Sequence, residues 1–201
     1  MSTATKLHYT PQEYLAFERS SPTRHEYYRG EILAMAGTSY KHSLIVTNIV
    51  HHAAGQFEDR PCEVHAGNLR VLVDETGLYT YPDVVIVCGE PKFLDREFDT
   101  LLNPTVIFEV LSESTEAYDR GVKFGHYRRI PSLREYVLVA QDRMLVERYT
   151  RQGDDWVLTE FNLPGQSLRL ESIDCTIPLE RIYSKVKFQE NDASAAKLHP
   201  R

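Results

Sequence analysis

Cysteine is scarce in this sequence and scattered along it. Cys62, Cys88 and Cys175 form no CxxC pair, and an odd number cannot all pair within one chain. The pattern therefore indicates neither a disulfide framework nor a cysteine-ligated zinc cluster. We expect a protein that works in a reducing, cytoplasmic environment.

Long apolar runs are absent as well. No run approaches the roughly 18 residues of a membrane span, and no basic and then apolar leader follows Met1. Apolar residues make up 42% and charged residues 26% of the 201 positions, which is ordinary for a globular chain. This length predicts a single domain over residues 1–190, and residues 191–201 are expected to form a disordered tail.

Positive charge is in deficit. The 23 Lys and Arg residues stand against 29 Asp and Glu residues, which gives a formal net charge of −6. A protein that coats nucleic acid through phosphate contacts is usually basic, so this balance counts mildly against such a role. It still leaves room for a local basic patch made of Arg120, Lys123, Arg128, Arg129 and Arg134.

The sequence does contain two apolar, β-branched runs that each carry one carboxylate. Asp83 stands directly before residues 84–87, and Glu109 directly follows residues 106–108. A buried ionised carboxylate is costly unless it is paired, hydrogen-bonded or bound to a cation. If the two strands are neighbours, both carboxylates can converge on one divalent cation, and oxygen ligands favour magnesium or manganese over zinc. The alternative is that Asp83 begins its strand in solvent while Glu109 points out of the sheet, and spacing alone does not decide between the two.

A helix is predicted after the second run, over about residues 116–130. Asp119, Lys123 and Tyr127 recur at every fourth position, so they share one face of this helix. Gly121 and Gly125 share another face, which we expect to pack closely on the sheet. An Asp and a Lys at this spacing most often form a solvated ion pair. Beside two carboxylates, however, the pair would supply a cation for phosphate chemistry.

These residues resemble the PD-(D/E)XK nuclease superfamily. Pro82-Asp83 and the strand end at residues 109–112 are similar to its proline-aspartate and glutamate elements. Residues 109–136 are similar to the Uma-type restriction endonuclease family within that superfamily, and residues 119–136 are the most specific part. Residues 26–42 resemble that family's opening hairpin and helix, so the resemblance covers roughly residues 9–183.

The resemblance implies a restriction-endonuclease-like fold of the α/β (α+β) class, with a mixed β-sheet flanked by helices. It implies a magnesium-dependent endonuclease that hydrolyses phosphodiester bonds in DNA, with Mn²⁺ as an alternative to Mg²⁺. Asp83, Glu109 and the backbone carbonyl of Val110 would hold the metal. A homodimer would supply two sites for cutting two strands, although the sequence reveals no interface.

One position departs from the superfamily pattern. The superfamily's lysine stands two residues after the glutamate, where this chain has Leu111. The resemblance implies that Lys123 takes its place from the following helix. Asp119 or Tyr127 would then position the ammonium group of Lys123.

Three residues nearer the amino terminus are further candidates. Glu26 and Glu31 fit ordinary exposed carboxylates of a hairpin, but the resemblance moves Glu31 toward the active site as an additional acidic residue, and Glu26 less strongly. The resemblance also places His42 facing the site. A contact to a metal-binding carboxylate or to phosphate suits His42 better than metal ligation does.

Turn and capping residues predict the remaining elements. We expect a helix over residues 11–20 capped by Thr10, a hairpin over 26–35, and a helix from Thr38 or Ser39 to about 57. Strands are expected at residues 62–65 and 69–73, as consecutive antiparallel neighbours of the Asp83 strand. Further strands at 135–139, 144–150 and 156–161 belong to a mixed sheet, and residues 167–173 and 177–183 close the fold.

Two other functions remain open at this stage. The first is a nucleic-acid-binding or regulatory protein that keeps a nuclease fold without turnover, which Leu111 and the negative net charge favour. The second is a metal-dependent hydrolase of small phosphoesters. A purely structural module gives no reason for carboxylates at the ends of two strands that resemble core strands.

Overall fold

The structure, a computed structural model, describes residues 8–35 and 37–188. A five-stranded and a six-stranded mixed sheet and a two-stranded ribbon are flanked by a few helices. The predicted mixed α/β class is thus confirmed, with two main sheets in place of one. The tail expected at residues 191–201 lies outside the described residues. None of the helices described is long and apolar enough to cross a membrane.

Helix α1 (Pro11–Ser20) begins where the sequence predicts it. The hydroxyl group of Thr10 accepts a hydrogen bond from the backbone N–H of Glu13 at 3.3 Å. The Glu13 carboxylate in turn accepts one from the N–H of Thr10 at 2.8 Å. These reciprocal bonds satisfy donors that a helix start leaves open.

Strands β1 (His25–Tyr28) and β2 (Glu31–Ala34) form the predicted hairpin. Arg29 and Gly30 both have positive φ, at 47° and 92°, as two-residue turns between antiparallel strands require. A Cβ atom at Gly30 would lie 2.1 Å from Nδ1 of the exposed His8 side chain, which would have to move aside.

Helix α2 (Tyr40–Ala54) begins at Ser39, whose Oγ accepts a hydrogen bond from the N–H of His42 at 3.1 Å. One face of α2 is buried and contains Ile45, Ile49 and Ala53. His42 belongs to the same buried face, in the first turn. Packing of this face therefore brings a histidine against the six-stranded sheet.

The other elements follow in chain order. They are β3 (Cys62–Ala66), β4 (Arg70–Val73), β5 (Leu78–Thr80), β6 (Val84–Cys88), β7 (Thr100–Leu101) and β8 (Val106–Leu111). A helical connection then comprises α3 (Glu116–Tyr118), a π-helical segment (Asp119–Lys123) and α4 (Phe124–Tyr127). The chain ends with β9 (Glu135–Ala140), β10 (Val146–Gln152), β11 (Asp155–Phe161), β12 (Ser167–Leu170), a 3₁₀ turn (Glu171–Ile173), β13 (Cys175–Pro178) and α5 (Leu179–Ile182).

The strand after Asp83 and the strand with Glu109 are neighbours. The six-stranded sheet has the order β11-β10-β9-β8-β6-β3, and β6 runs antiparallel to β8 with Val84 opposite Phe108. Strand β8 runs parallel to β9, so the helical connection between them is the crossover that a parallel pair needs.

Strand β4 belongs to a different sheet from the one that its position in the sequence predicts. β3 does pair with β6, but β4 lies in the five-stranded sheet, whose order is β2-β1-β5-β4-β7. The prediction that β3 and β4 are consecutive neighbours of the Asp83 strand is therefore wrong for β4. All four residues of β4 are buried, and a short buried strand of this kind does not reveal which of two packed sheets it joins.

Strand β8 is buried on both faces, which explains its continuous apolar run. Val106 and Phe108 face the core under α2, whereas Ile107 and Leu111 face the core shared with the five-stranded sheet. Because side chains alternate along a strand, Glu109 belongs to the second face. Its carboxylate therefore lies between the two sheets.

The prediction of no disulfide is wrong. Cys62 and Cys88 are register partners on β3 and β6, and a disulfide joins them with a Cα–Cα distance of 4.0 Å. The pairing comes from strands far apart in the chain, so the spacing of the cysteines could not reveal it. Cys175 is free and buried. A cytoplasmic location stays a prediction.

The expected role of two glycines is also wrong. A Cβ atom placed on Gly121 or Gly125 would meet nothing within 4 Å, so neither glycine lies against the sheet. Val122 between them is 57% exposed. This side of the helical connection faces away from the core.

Candidate active site

Asp83 and Glu109 meet at one end of the β6–β8 pair. Val84 lies opposite Phe108 and Val85 opposite Ile107, so the next pair in this register is Asp83 and Glu109. Both residues line one cleft of about 430 Å³. Of the two alternatives that the spacing left open, the structure supports convergence.

Asp83 is held by two donors on a single oxygen. Nε2 of His42 donates to Asp83 Oδ2 at 3.0 Å, and the backbone N–H of Val110 donates to the same oxygen at 2.7 Å. Among the described residues no hydrogen bond reaches Oδ1 of Asp83. The carboxylate is therefore fixed in orientation while one oxygen remains open to a ligand.

Glu109 is held in the same manner. The hydroxyl group of Tyr127 donates to Glu109 Oε1 at 2.8 Å, and Nζ of Lys123 lies 2.9 Å from that oxygen. No hydrogen bond from the described part of the chain reaches Oε2. Each carboxylate thus keeps one oxygen to which none of the described residues donates.

Lys123 reaches the site from the π-helical segment. Its ammonium group is buried and lies 3.3 Å from Glu26 Oε1 and 3.6 Å from Asp119 Oδ1, besides Glu109. Lys123 and Tyr127 also share the inner face of the connection, as their spacing predicts. Short π-helical segments are rare and are often found at functional sites.

Glu26, the weaker of the two hairpin candidates, lies in the cleft. Its Oε1 accepts a short hydrogen bond from the hydroxyl of Thr80, and its Oε2 accepts one from Tyr118 at 3.3 Å. Glu31 lies nearer the hairpin turn, opposite Tyr28, where it is exposed and outside the cleft lining. The structure therefore brings Glu26 to the site and leaves Glu31 out. Glu26 is paired with Leu33, away from the hairpin turn, whereas Glu31 lies next to the turn.

Burial and like charge dominate the electrostatics. Burial raises the pKa of Glu109 above its usual range, with Lys123 opposing and Asp83 adding to the rise. Burial alone would lower the pKa of Lys123, but the surrounding carboxylates raise that pKa well above its usual value. The pKa of Asp119 is raised, chiefly by burial. The site therefore holds an excess of carboxylates around one ammonium group.

The residues present fit a magnesium ion. No group of three or more His, Cys, Asp or Glu side chains among residues 8–35 and 37–188 is arranged to hold a metal. Mg²⁺, however, is often held by one or two carboxylates, with water and substrate phosphate completing its shell. The unused oxygens of Asp83 and Glu109, in a site where carboxyl groups outnumber the one ammonium group, match that donor set. Whether the carbonyl of Val110 also binds the ion stays a prediction.

The five cations that left room for a local basic patch do not all face solvent. Lys123 is buried in the cleft, Arg120 pairs with Glu147 at 2.5 Å, and Arg129 pairs with Glu75 at 2.5 Å. Arg128 and Arg134 remain exposed. These cations were grouped by sequence position, but the fold directs them to different partners.

Two further residues of the site have no clear signal in the sequence. Thr80 and Tyr118 both bind the Glu26 carboxylate, from β5 and from α3. Thr80 ends a strand of three residues, too short for its alternation to be read. Tyr118 stands one position before Asp119 and had no chemical signal beyond that proximity.

The protein has a nuclease-like fold. Neighbouring strands of its mixed sheet bring an aspartate and a glutamate together beside a lysine. A solved structure described as a putative nuclease belonging to DUF820, from Anabaena variabilis ATCC 29413, has the same fold. It superposes with a TM-score of 0.71 at 17% identity and covers 88% of this chain and 98% of its own. The chain belongs to the family described as "Putative restriction endonuclease" (Uma2), whose model matches residues 11–180.

Two similar proteins come from Synechocystis sp. (strain ATCC 27184 / PCC 6803 / Kazusa), and both are described as uncharacterized. The protein sll1609 is 38% identical over 172 residues, which is 85% of this chain and 96% of the relative. The protein slr1290 is 34% identical over 180 residues, which is 89% of this chain and 93% of the relative. The similarity therefore extends over nearly the whole length of both relatives.

Proposed function

We propose that this protein is a metal-dependent endonuclease that hydrolyses phosphodiester bonds in DNA. The observation that carries the proposal is the pair of carboxylates on neighbouring strands. Asp83 and Glu109 line one cleft, each keeps an unused oxygen, and the ammonium group of Lys123 lies 2.9 Å from Glu109. Membership of a family of nuclease-like proteins supports the same reaction class.

Asp83 and Glu109 would hold Mg²⁺, or Mn²⁺ in its place, with the Val110 carbonyl as a further ligand. When bound, such an ion supplies polarisation of the scissile phosphate and a lower pKa for an attacking water. His42 and the N–H of Val110 hold the Asp83 carboxylate in one orientation. Tyr127 does the same for Glu109.

Lys123 would stabilise the negative charge that develops on the phosphate, or orient the attacking water. Its raised pKa keeps the side chain cationic over the physiological range, because Glu109, Glu26 and Asp119 all favour the charged form. Lys123 would thus supply, from the helical connection, the positive charge that Leu111 at the superfamily's lysine position cannot supply.

The test combines metal binding with cleavage. Calorimetric titration with Mg²⁺ and with Mn²⁺ would compare the wild type with Asp83→Asn and Glu109→Gln. We expect binding in the wild type, loss in both variants, and unchanged binding in Glu31→Gln, which alters an exposed carboxylate outside the cleft. Plasmid cleavage should likewise be present in the wild type and in Glu31→Gln and lost in Asp83→Asn and Glu109→Gln. Equal metal binding in all four folded proteins would refute the proposal.

A second candidate is a protein that binds nucleic acid on this fold without cutting it. Leu111 at the superfamily's lysine position is the observation in its favour. Under this alternative, the wild type and Glu109→Gln would bind DNA equally, and neither would cleave it with Mg²⁺ or Mn²⁺. A homodimer stays a prediction that sedimentation analysis would test.

A further inference from the structure

One wall of the cleft is apolar and exposed. Leu33 and Met35 line the cleft and are 51% and 38% exposed. Tyr40, which is 80% exposed, lines an adjoining groove. The cleft and the groove share Ser39 and Gln141, whose side chains are hydrogen-bonded to each other at 2.6 Å. Leu33, Met35 and Tyr40 together form an apolar wall along the cleft and the groove.

Acidic side chains outnumber basic ones along this path. The cleft is lined by Glu26, Asp83, Glu109 and Asp119, and the groove adds Glu113, Glu116 and Asp142. Of the residues that the structure describes in the two linings, only Lys123 and Lys41 carry an amine or guanidinium group. The surface around the site is therefore poor in phosphate-binding cations.

One further cation lies beside the apolar wall. The guanidinium carbon of Arg24 is 5.5 Å from the ring centre of Tyr81, a residue of the cleft lining. The backbone carbonyl of Arg24 accepts a hydrogen bond from the N–H of Met35 at 3.0 Å. Because Lys123 lies among three carboxylates at the proposed position of the scissile phosphate, Arg24 and Lys41 are the cations that this path offers to the flanking phosphates.

Charge and shape together point to the form of the substrate. A duplex is held largely through its phosphates, and a typical protein makes about six to ten such contacts, far more than two cations supply. Unpaired bases, in contrast, expose flat faces that stack on aromatic and apolar side chains. A cleft of about 430 Å³ has the size of a small-ligand pocket, so it suits a single nucleotide rather than a double helix.

We propose that the cleft takes an unpaired nucleic-acid strand whose bases lie against the apolar wall while one phosphate reaches Asp83 and Glu109. This inference rests on the proposed nuclease function and narrows its substrate class. Arg24 and Lys41 would contact flanking phosphates, and Tyr40 would stack on a base at the groove. A bulged, flipped or end-frayed segment of a duplex supplies the same chemistry.

The test measures binding by fluorescence anisotropy, with Ca²⁺ in place of Mg²⁺ and gels to verify that the probes stay intact. The probes are a labelled oligothymidylate, an oligouridylate, and a blunt duplex of the same length. We expect each single strand to bind at least tenfold more tightly than the duplex. Since each released phosphate contact on a single strand contributes about −0.7 to the slope of log K against log salt, two contacts predict a slope no steeper than about −2.

Variants of the wall give the second arm. Tyr40→Ala and Met35→Ser should each weaken single-strand binding at least threefold without changing the thermal midpoint. Leu158→Ser is the matched control, because Leu158 is 44% exposed on β11, away from the cleft lining. Equal effects of the control and the wall variants would overturn the inference. So would dissociation of a wild-type dimer by Leu33→Ser, which would make the wall a subunit interface.

The outcomes separate this inference from the proposed function. Duplex cleavage that is lost in Glu109→Gln, together with equal or tighter duplex binding, would keep the nuclease and overturn the unpaired-strand substrate. Single-strand binding that depends on the apolar wall, without cleavage in Mg²⁺ or Mn²⁺, would overturn the proposed nuclease activity and support the apolar wall as a binding surface for an unpaired strand. Neither binding nor cleavage of any probe would overturn both.

Discussion

The ammonium group of Lys123 lies 2.9 Å from Oε1 of Glu109, although the lysine comes from the crossover and the glutamate from strand β8. The superfamily's own lysine position, two residues after the glutamate, would point from the same face of the strand as Glu109. A side chain from the crossover reaches the same face because the crossover packs over it. Under the proposed function, Lys123 would therefore act from the crossover in the place of a lysine on the strand.

Lys123→Met should abolish cleavage and also destabilise the protein. Removing a group that stabilises transition-state charge typically costs about 10²–10³ in rate. Glu109, Glu26 and Asp119 would then be buried without their cation, and breaking a buried ion pair in this way costs about 3–5 kcal/mol. Urea unfolding and single-turnover cleavage measure the two effects.

The double variant Lys123→Met/Glu26→Gln is the control for that stability effect. It removes one of the uncompensated carboxylates, so it should recover part of the lost stability while leaving cleavage abolished. If Lys123→Met were as stable as the wild type, the three carboxylates would not be charged in the folded protein.

His42→Ala should weaken metal binding while the fold persists. Nε2 of His42 is one of the two donors that orient the Asp83 carboxylate. Loss of a group that orients a metal ligand typically lowers the metal affinity by about 10–100-fold. Calorimetric titration with Mn²⁺ measures the change. His65→Ala is the matched control, since His65 lies on β3 and contacts Glu63 instead of the site; equal losses in the two variants would argue against a role for His42.

Much of the architecture was predictable because local chemistry fixes it. The cap at Thr10, the Arg29-Gly30 turn and the apolar run of β8 each agree with the final structure. Asp83 and Glu109 were identifiable as candidates, since a carboxylate beside a core strand requires a reason, although their spacing alone did not decide whether they converge. These features depend on neighbouring residues or on the burial of a single strand.

Features that depend on how distant strands pair were not predictable. The choice of Glu26 over Glu31 depends on which hairpin residue faces the crossover, and the sequence contains no sign of that packing. The Cys62–Cys88 bond depends on the register of β3 against β6. A sequence pattern with a period of two fixes which face a residue takes but not which strand lies beside it.

Thiol titration under native conditions should distinguish the three cysteines. Without reductant, we expect no rapidly reacting thiol, because Cys62 and Cys88 are bonded and Cys175 is fully buried. Burial raises the pKa of Cys175 to about 11, which leaves almost no thiolate near neutral pH. Mild reduction should expose two reactive thiols, and unfolding a third. Two or more reactive thiols before reduction would contradict the bond between Cys62 and Cys88.

Asp99 should make the protein sensitive to acid. Burial alone would raise the pKa of Asp99, but hydrogen bonds from Arg19 and Thr100 and the charge of Arg70 lower it well below its usual value. Arg19 Nε lies 2.8 Å from Asp99 Oδ2, which ties α1 to the segment before β7. Because the folded-state pKa is the lower one, the stabilisation is complete above the unfolded value of about 3.9. It is lost as the pH falls through the folded-state pKa.

The measurement is the urea midpoint of the wild type and of Asp99→Asn at a series of pH values. The wild type should be the more stable protein near neutral pH, and the gap should shrink as the pH falls below about 4, where Asp99 of the unfolded chain is already protonated. Asp155→Asn, which alters an exposed aspartate on β11, should show no such gap at any pH. A gap for Asp99→Asn that stays constant down to acidic pH would mean that the side chain stabilises the fold through its shape or its hydrogen bonds and not through its charge.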